Sequence, residues 1–231
     1  MFEKLTLQLL TESHEESGGS SQCLPLSRAL LDAFQELGLT ASPLVVRGVV
    51  FGKQKDPSIF KKVEVQQLVQ TAFKGPVANG WIDLDVTDNG ERNTVRLHYR
   101  TIGQPHDGAP GDKTLGNYDS IGNWLGHLVV VSGDVLIDPS IGQLNDERST
   151  ISFIPPALTV SVTNDFLSGQ VPVVFIIDGM LVAYFAFPDE RTYETSRSWS
   201  HSEFRAQLKA IGERAAAHFV GKPETELHAS E

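Results

Sequence analysis

Apolar residues recur along this chain at two periods, helical near the ends and alternating through the middle. Leu26, Leu30, Leu31, Phe34 and Leu37 follow a helical stripe. Pro25 is tolerated in a first turn and Gly38 stands where a helix would stop, so the pattern predicts a helix from Leu24 up to Gly38. Val63 to Phe73 repeats that spacing and stops before Gly75-Pro76. Near the C-terminus, Glu203 to Val220 sets Phe204, Leu208, Ile211, Ala215 and Phe219 on one face, with Ser200 three residues ahead of Glu203 as a capping box. At the other end, Phe2, Leu5, Leu7, Leu9 and Leu10 fit a short helix or a strand, and Thr11 to Ser21 reads as a polar, Gly-containing loop.

The middle of the chain reads as strands. Pro43 to Phe51 is rich in Val, as a buried strand would be. Ile82, Leu84 and Val86 alternate with Asp83, Asp85 and Thr87. Asn89-Gly90 then signals a turn before Val95, Leu97 and Tyr99, which predicts a hairpin with a slightly long loop. Thr101 to Asn117 breaks the alternation with an irregular Gly- and Pro-rich stretch, and the part from Gly103 to Gly116 is suited to an active-site lid. Two more hairpins follow: Leu128–Val131 with Val135–Ile137 around Ser132-Gly133-Asp134, and Val171–Ile177 with Met180–Phe187 around Asp178-Gly179. Helices at both ends and antiparallel hairpins between them predict an α+β fold in one domain over residues 1–231, with 221–231 as a frayed tail.

Composition narrows the class. Of the 231 residues, 40% are apolar and 21% charged, the balance of an ordinary globular chain with one core. The formal charge of −10, without a run of Lys or Arg, argues against nucleic acid or an anionic membrane as the main partner. No apolar stretch is long enough to span a bilayer, since the nearest, Val171 to Phe187, is broken by Asp178-Gly179. A single cysteine rules out an internal disulfide, and Met1-Phe2-Glu3-Lys4-Leu5 lacks the basic start of a secretory signal, so the expected location is the cytoplasm.

That cysteine, Cys23, falls at the predicted start of a helix, where unpaired N–H groups and the helix dipole favour a thiolate and could hold an oxyanion, with the Gln22 side chain assisting. His127 and Asp138 lie on one predicted hairpin. If Gly133-Asp134 form a two-residue turn, Val129 faces Asp138 and His127 becomes its diagonal neighbour on the same face. A four-residue loop would pair them directly, and a three-residue loop would send them to opposite faces unless a bulge intervened. A thiol, a base and an orienting carboxylate, in the order Cys, His, Asp, are the parts of a cysteine nucleophile enzyme. Trp124, close to His127, is the tryptophan best placed to line such a site.

Gln22-Cys23, Leu37-Gly38-Leu39, Val45-Val46-Arg47-Gly48, Gly126-His127-Leu128 and Ile137-Asp138-Pro139-Ser140 occur in that order. Together they resemble the transglutaminase-like superfamily of papain-fold cysteine enzymes. The resemblance implies a papain-like core with the Cys23 helix packed on an antiparallel sheet. It also implies a Cys23, His127, Asp138 triad acting through an acyl-enzyme on a protein, peptide or small amide or thioester, by hydrolysis, deamidation or transamidation, with no cofactor. Leu24 and Leu128-Val129 depart from the family's usual aromatic residues after Cys and His. The His127 hairpin, with Asp138-Pro139-Ser140-Ile141-Gly142, is also similar to arylamine N-acetyltransferases, although Ser17-Gly18-Gly19-Ser20-Ser21 replaces their motif before Cys. Two readings without chemistry stand beside these: an inactive scaffold of the same fold, and a structural protein that oligomerises through Val171 to Phe187.

Other signals are weaker. The seven His are scattered, without a metal-ligand spacing, and neither a phosphate loop nor a Gly-x-Ser-x-Gly elbow is present. Trp81 and Trp199 suit a groove or a core equally well. Asp83 and Asp85 share one strand face, which reads as a solvated surface rather than a carboxylate pair.

Overall fold

The structure is a computed structural model and describes residues 1–17, 23–61, 64–74, 79–88, 91–103, 126–144, 151 and 155–221. Within these, the elements run α1 (Phe2–Ser17), α2 (Cys23–Glu36), β1 (Ser42–Phe51), α3 (Val65–Lys74), β2 (Asn79–Asp88), β3 (Glu91–Ile102), β4 (His127–Ser132), β5 (Val135–Asp138), β6 (Leu158–Ser161), α4 (Asn164–Leu167), β7 (Val173–Ile177), β8 (Met180–Phe187), α5 (Arg197–Ser200) and α6 (Ser202–Gly221). The fold is α+β, an eight-stranded antiparallel sheet that curls, with helices against it. The expected helix after Cys23 is present. It is closed by Gly38 at φ 68°, a left-handed backbone that suits glycine.

β1 organises the sheet. One of its edges carries β8 from Val45↔Phe187 to Phe51↔Leu181. The other edge is shared end to end by two strands, β3 against Gly48–Phe51 and β4 against Ser42–Val46. β3 therefore ends opposite Gly48, β4 begins with His127 opposite Val46, and the two part beside Arg47. β2 extends the sheet beyond β3, β5 and β6 extend it beyond β4, and β7 pairs with β8.

Alternation along these strands divides the core between two faces. Val46, Val129, Leu136 and Tyr184 belong to one cluster with Phe166 and Ile151. Val130 and Ile137 face the other way, against Leu26, Leu30 and Phe34 of α2, Leu5 and Leu9 of α1, and Leu208, Ile211 and Ala215 of α6. Leu68, Val69 and Ala72 of α3 cover a third cluster around Phe51 and Leu97. Each helix buries one stripe against the sheet or its neighbour, as amphipathic helices do.

Several expectations need correction. The first helix runs to Ser17 rather than stopping near Leu10, because Glu12, only 6% exposed, is bound by Arg214 and His218 of α6 and so ties the polar half of α1 down. The first hairpin is tighter than expected, with Asp88 opposite Glu91 across residues 89 and 90, which lie outside the described residues. β3 continues through Thr101 and Ile102 because both find partners on β1. Ser200 does not cap α6: its hydroxyl donates to the Ser196 carbonyl one turn earlier, and α6 starts at Ser202. Phe204, expected on the buried face, is exposed, as is Trp81, whose ring lies beside His98 and under the Arg96 guanidinium. Gly221, expected to open the frayed tail, is the last residue of α6, and the rest of that 221–231 tail, like most of the Gly103 to Gly116 stretch expected as a lid, lies outside the described residues. Among the described residues, no helix is long and apolar enough to cross a membrane.

Candidate active site

The hairpin that carries His127 and Asp138 has the tighter of the expected geometries. Ser132 pairs with Val135, Val131 with Leu136 and Val130 with Ile137, so Gly133 and Asp134 form a two-residue turn, with Gly133 at φ 60°. This register sets the His127 and Asp138 side chains on one face. His127 Nε2 and Asp138 Oδ2 are 2.7 Å apart, and both side chains are buried.

Asp138 is held on both oxygens. Oδ1 accepts from the backbone N–H of Ser140 at 2.9 Å and from its hydroxyl at 3.1 Å, while Oδ2 accepts from Tyr184 Oη at 2.6 Å as well as from His127. Burial alone would raise the Asp138 pKa, but the His127 charge and these donors outweigh it and hold the carboxyl below its ordinary value. Burial likewise opposes charge on His127, yet the adjacent Asp138 carboxylate dominates and pushes the imidazole up to about 10. The two groups form a buried ion pair. Burial and the Asp138 charge together raise Tyr184 well above the ordinary phenol value, so it stays a donor.

Cys23 reaches the same imidazole from the helix layer. It is the first residue of α2, half-buried, and packs with Leu24 against Val45, Leu128 and Tyr193. Its side chain donates to the carbonyl of Gly126, the residue before His127, at 3.6 Å, and its proximity helps to raise the imidazole pKa. Since Nε2 is committed to Asp138, the nitrogen that serves Cys23 is Nδ1. One turn further along α2, buried Ser27 donates to the Leu128 carbonyl at 2.8 Å, which fixes the register of the cysteine helix on the histidine strand.

The split in the sheet makes this meeting possible. His127 stands at the break between β3 and β4, where helix and strand side chains approach from opposite faces. Gly103, the residue after β3, lies against the same spot at φ 67°. A Cβ there would come 2.9 Å from the His127 backbone nitrogen and 2.8 Å from the Val46 carbonyl oxygen. In the first turn of α2 the N–H groups of Cys23 and Leu24 have no acceptor within the helix, and Pro25 has none to offer. These are the donors available to an oxyanion beside the sulfur.

Cys23, His127 and Asp138 are thus brought together as expected, whereas Gln22 and Trp124 lie outside the described residues. Trp199 packs edge-on to Tyr193 below the Arg28 guanidinium, near the cysteine rather than on it. Asp83 and Asp85 are solvated and paired with Arg96 and Arg92, in keeping with a surface strand face. Among the described residues no group of His, Cys, Asp or Glu could hold a metal ion. Sequence reasoning missed three residues. Ser140 had a signal, since an Asp two residues ahead of an N–H is the spacing of an Asx turn. Ser27 had only its place one turn after Cys23, and Tyr184 reads as one more aromatic in an apolar strand.

No protein-family model, no curated protein and no solved structure matches this chain.

Proposed function

We propose that this protein is a cysteine-dependent acyl-transfer enzyme, acting on an amide or thioester carbonyl of a protein, peptide or small molecule from a papain-like core of transglutaminase-like type. The observation that carries the reading is the buried His127–Asp138 pair at 2.7 Å, with the Cys23 side chain bonded to the carbonyl of Gly126 next to that histidine. In this mechanism His127 already holds the proton drawn from Cys23, as an imidazolium beside Asp138, and the Cys23 sulfur attacks the carbonyl carbon as a thiolate. The N–H groups that open α2 stabilise the oxyanion, and His127 returns the proton to the departing amine or thiol. Water or an amine then takes the acyl group from sulfur by the reverse sequence. Asp138 keeps the imidazole in the orientation that turns Nδ1 to the sulfur.

The test is the pH dependence of Cys23 alkylation by iodoacetamide in native protein, read by intact mass, with His127→Ala in parallel. Rapid labelling well below the ordinary thiol pKa of about 8.5, slowed at least tenfold in the variant, is the expected result. Labelling that waits for denaturant, or that ignores the substitution, would instead make the chain an unreactive scaffold.

A further inference from the structure

We propose that Tyr184 is a positioning residue for the Cys23, His127, Asp138 relay, clamping the Asp138 carboxylate so that one of its oxygens serves His127. The proposal rests on the cysteine chemistry put forward above. Its basis is the distribution of donors on a carboxylate with no exposed surface. Ser140 holds Oδ1 through two bonds, but Oδ2 would have His127 alone without the tyrosine hydroxyl. With Tyr184 in place both oxygens are pinned, so the carboxylate plane cannot turn, and the imidazole bonded to it keeps its Nδ1 toward Cys23.

The fold is arranged to let this tyrosine arrive. Tyr184 is on β8, whereas Asp138 is on β5, with β1 and β4 between them. On a flat sheet three strand spacings amount to about 14 Å, further than a tyrosine and an aspartate can bridge. The curl of the sheet shortens the path, and the residue opposite Tyr184 on β1 is Gly48. A Cβ on Gly48 would lie 2.5 Å from Tyr184 Cδ1 and 2.9 Å from the Ala183 carbonyl oxygen, so any side chain there would displace the ring. The ring crosses the bare backbone of β1 and stacks beside His127, with centroids 6.1 Å apart and planes inclined by 28°. A phenylalanine would fill that space and meet Phe175 equally well; the hydroxyl is needed only for the carboxylate.

The experiment compares the pH profile of iodoacetamide labelling at Cys23 in wild type, in Tyr184→Phe, and in protein carrying 3-fluorotyrosine at position 184. Loss of a hydrogen bond to a buried charge weakens the ionised carboxylate, so in Tyr184→Phe the acid limb moves up by about one pH unit. Fluorotyrosine, a stronger donor of nearly the same shape, moves the limb the opposite way. If Tyr184→Phe does not fold, the fluorotyrosine protein decides. Profiles that superpose on a wild type whose labelling depends on His127 would overturn the clamp and leave the cysteine chemistry intact. Wild-type labelling that never depends on His127 would overturn both.

Discussion

At the scale of single residues, the ion pair inside the hairpin gives the fold a pH signature. In the folded chain His127 keeps its proton up to about 10, against an ordinary 6.5, so its share of stability is complete below 6.5 and is lost as pH rises through 10. Asp138 is depressed below its ordinary 3.8, so its share is present above 3.8 and is lost as pH falls through its folded value. Both shares are therefore largest in the mildly acidic range between those limits. Asp138→Asn leaves the buried imidazole without its counter-charge, so the deficit of the variant in urea unfolding should be large near about pH 5.5 and shrink toward about pH 10. An equal deficit at both values would mean that His127 and Asp138 meet as neutral groups.

At the scale of elements, the register between α2 and β4 decides whether sulfur and imidazole meet. Ser27 is the polar stitch in that interface, buried and bonded to the Leu128 carbonyl next to His127. Ser27→Ala should cost about 1 kcal/mol in urea unfolding and slow Cys23 alkylation in the folded protein, whereas a stability loss with an unchanged labelling rate would show that packing alone sets the register. What could be read from the sequence followed the same division between local and distant causes. The His127–Asp138 hairpin was legible because its turn, Gly133-Asp134, is encoded in adjacent residues and the period of two does the rest. The α2 helix was legible from its own stripe and its terminal glycine. The extent of α1 was not, because the partners of Glu12 stand about two hundred residues away on α6. Nor was Tyr184, whose meaning depends on which strand lies across from it and on that strand offering Gly48. Pairing of β1 with β8, and the division of its other edge between β3 and β4, are long-range choices that no local pattern states.

At the scale of the molecule, the candidate site is assembled from two layers that the chain ends hold together. The sheet carries His127, Asp138 and Tyr184, while Cys23 belongs to a helical layer in which α1 and α6 brace α2. The closest approach in that layer is at Gly212, where a Cβ would stand 2.4 Å from the Ala29 carbonyl oxygen and 2.9 Å from the Ala33 nitrogen. Both contacts are with backbone, so Gly212→Ala must push α6 away from α2 rather than turn a side chain aside. The expected loss is about 2 kcal/mol, seen as a fall in Tm of roughly 4–8 °C. Gly179→Ala is the matched comparison. It strains a left-handed turn at φ 79° in the β7–β8 hairpin and leaves α2 untouched. Both variants should melt early, but only Gly212→Ala should slow Cys23 alkylation at temperatures where the protein is fully folded, because only it shifts the helix that presents the sulfur to His127. Equal labelling rates in the two would mean that Cys23 is positioned by its contacts with the sheet alone, independently of the helices behind it.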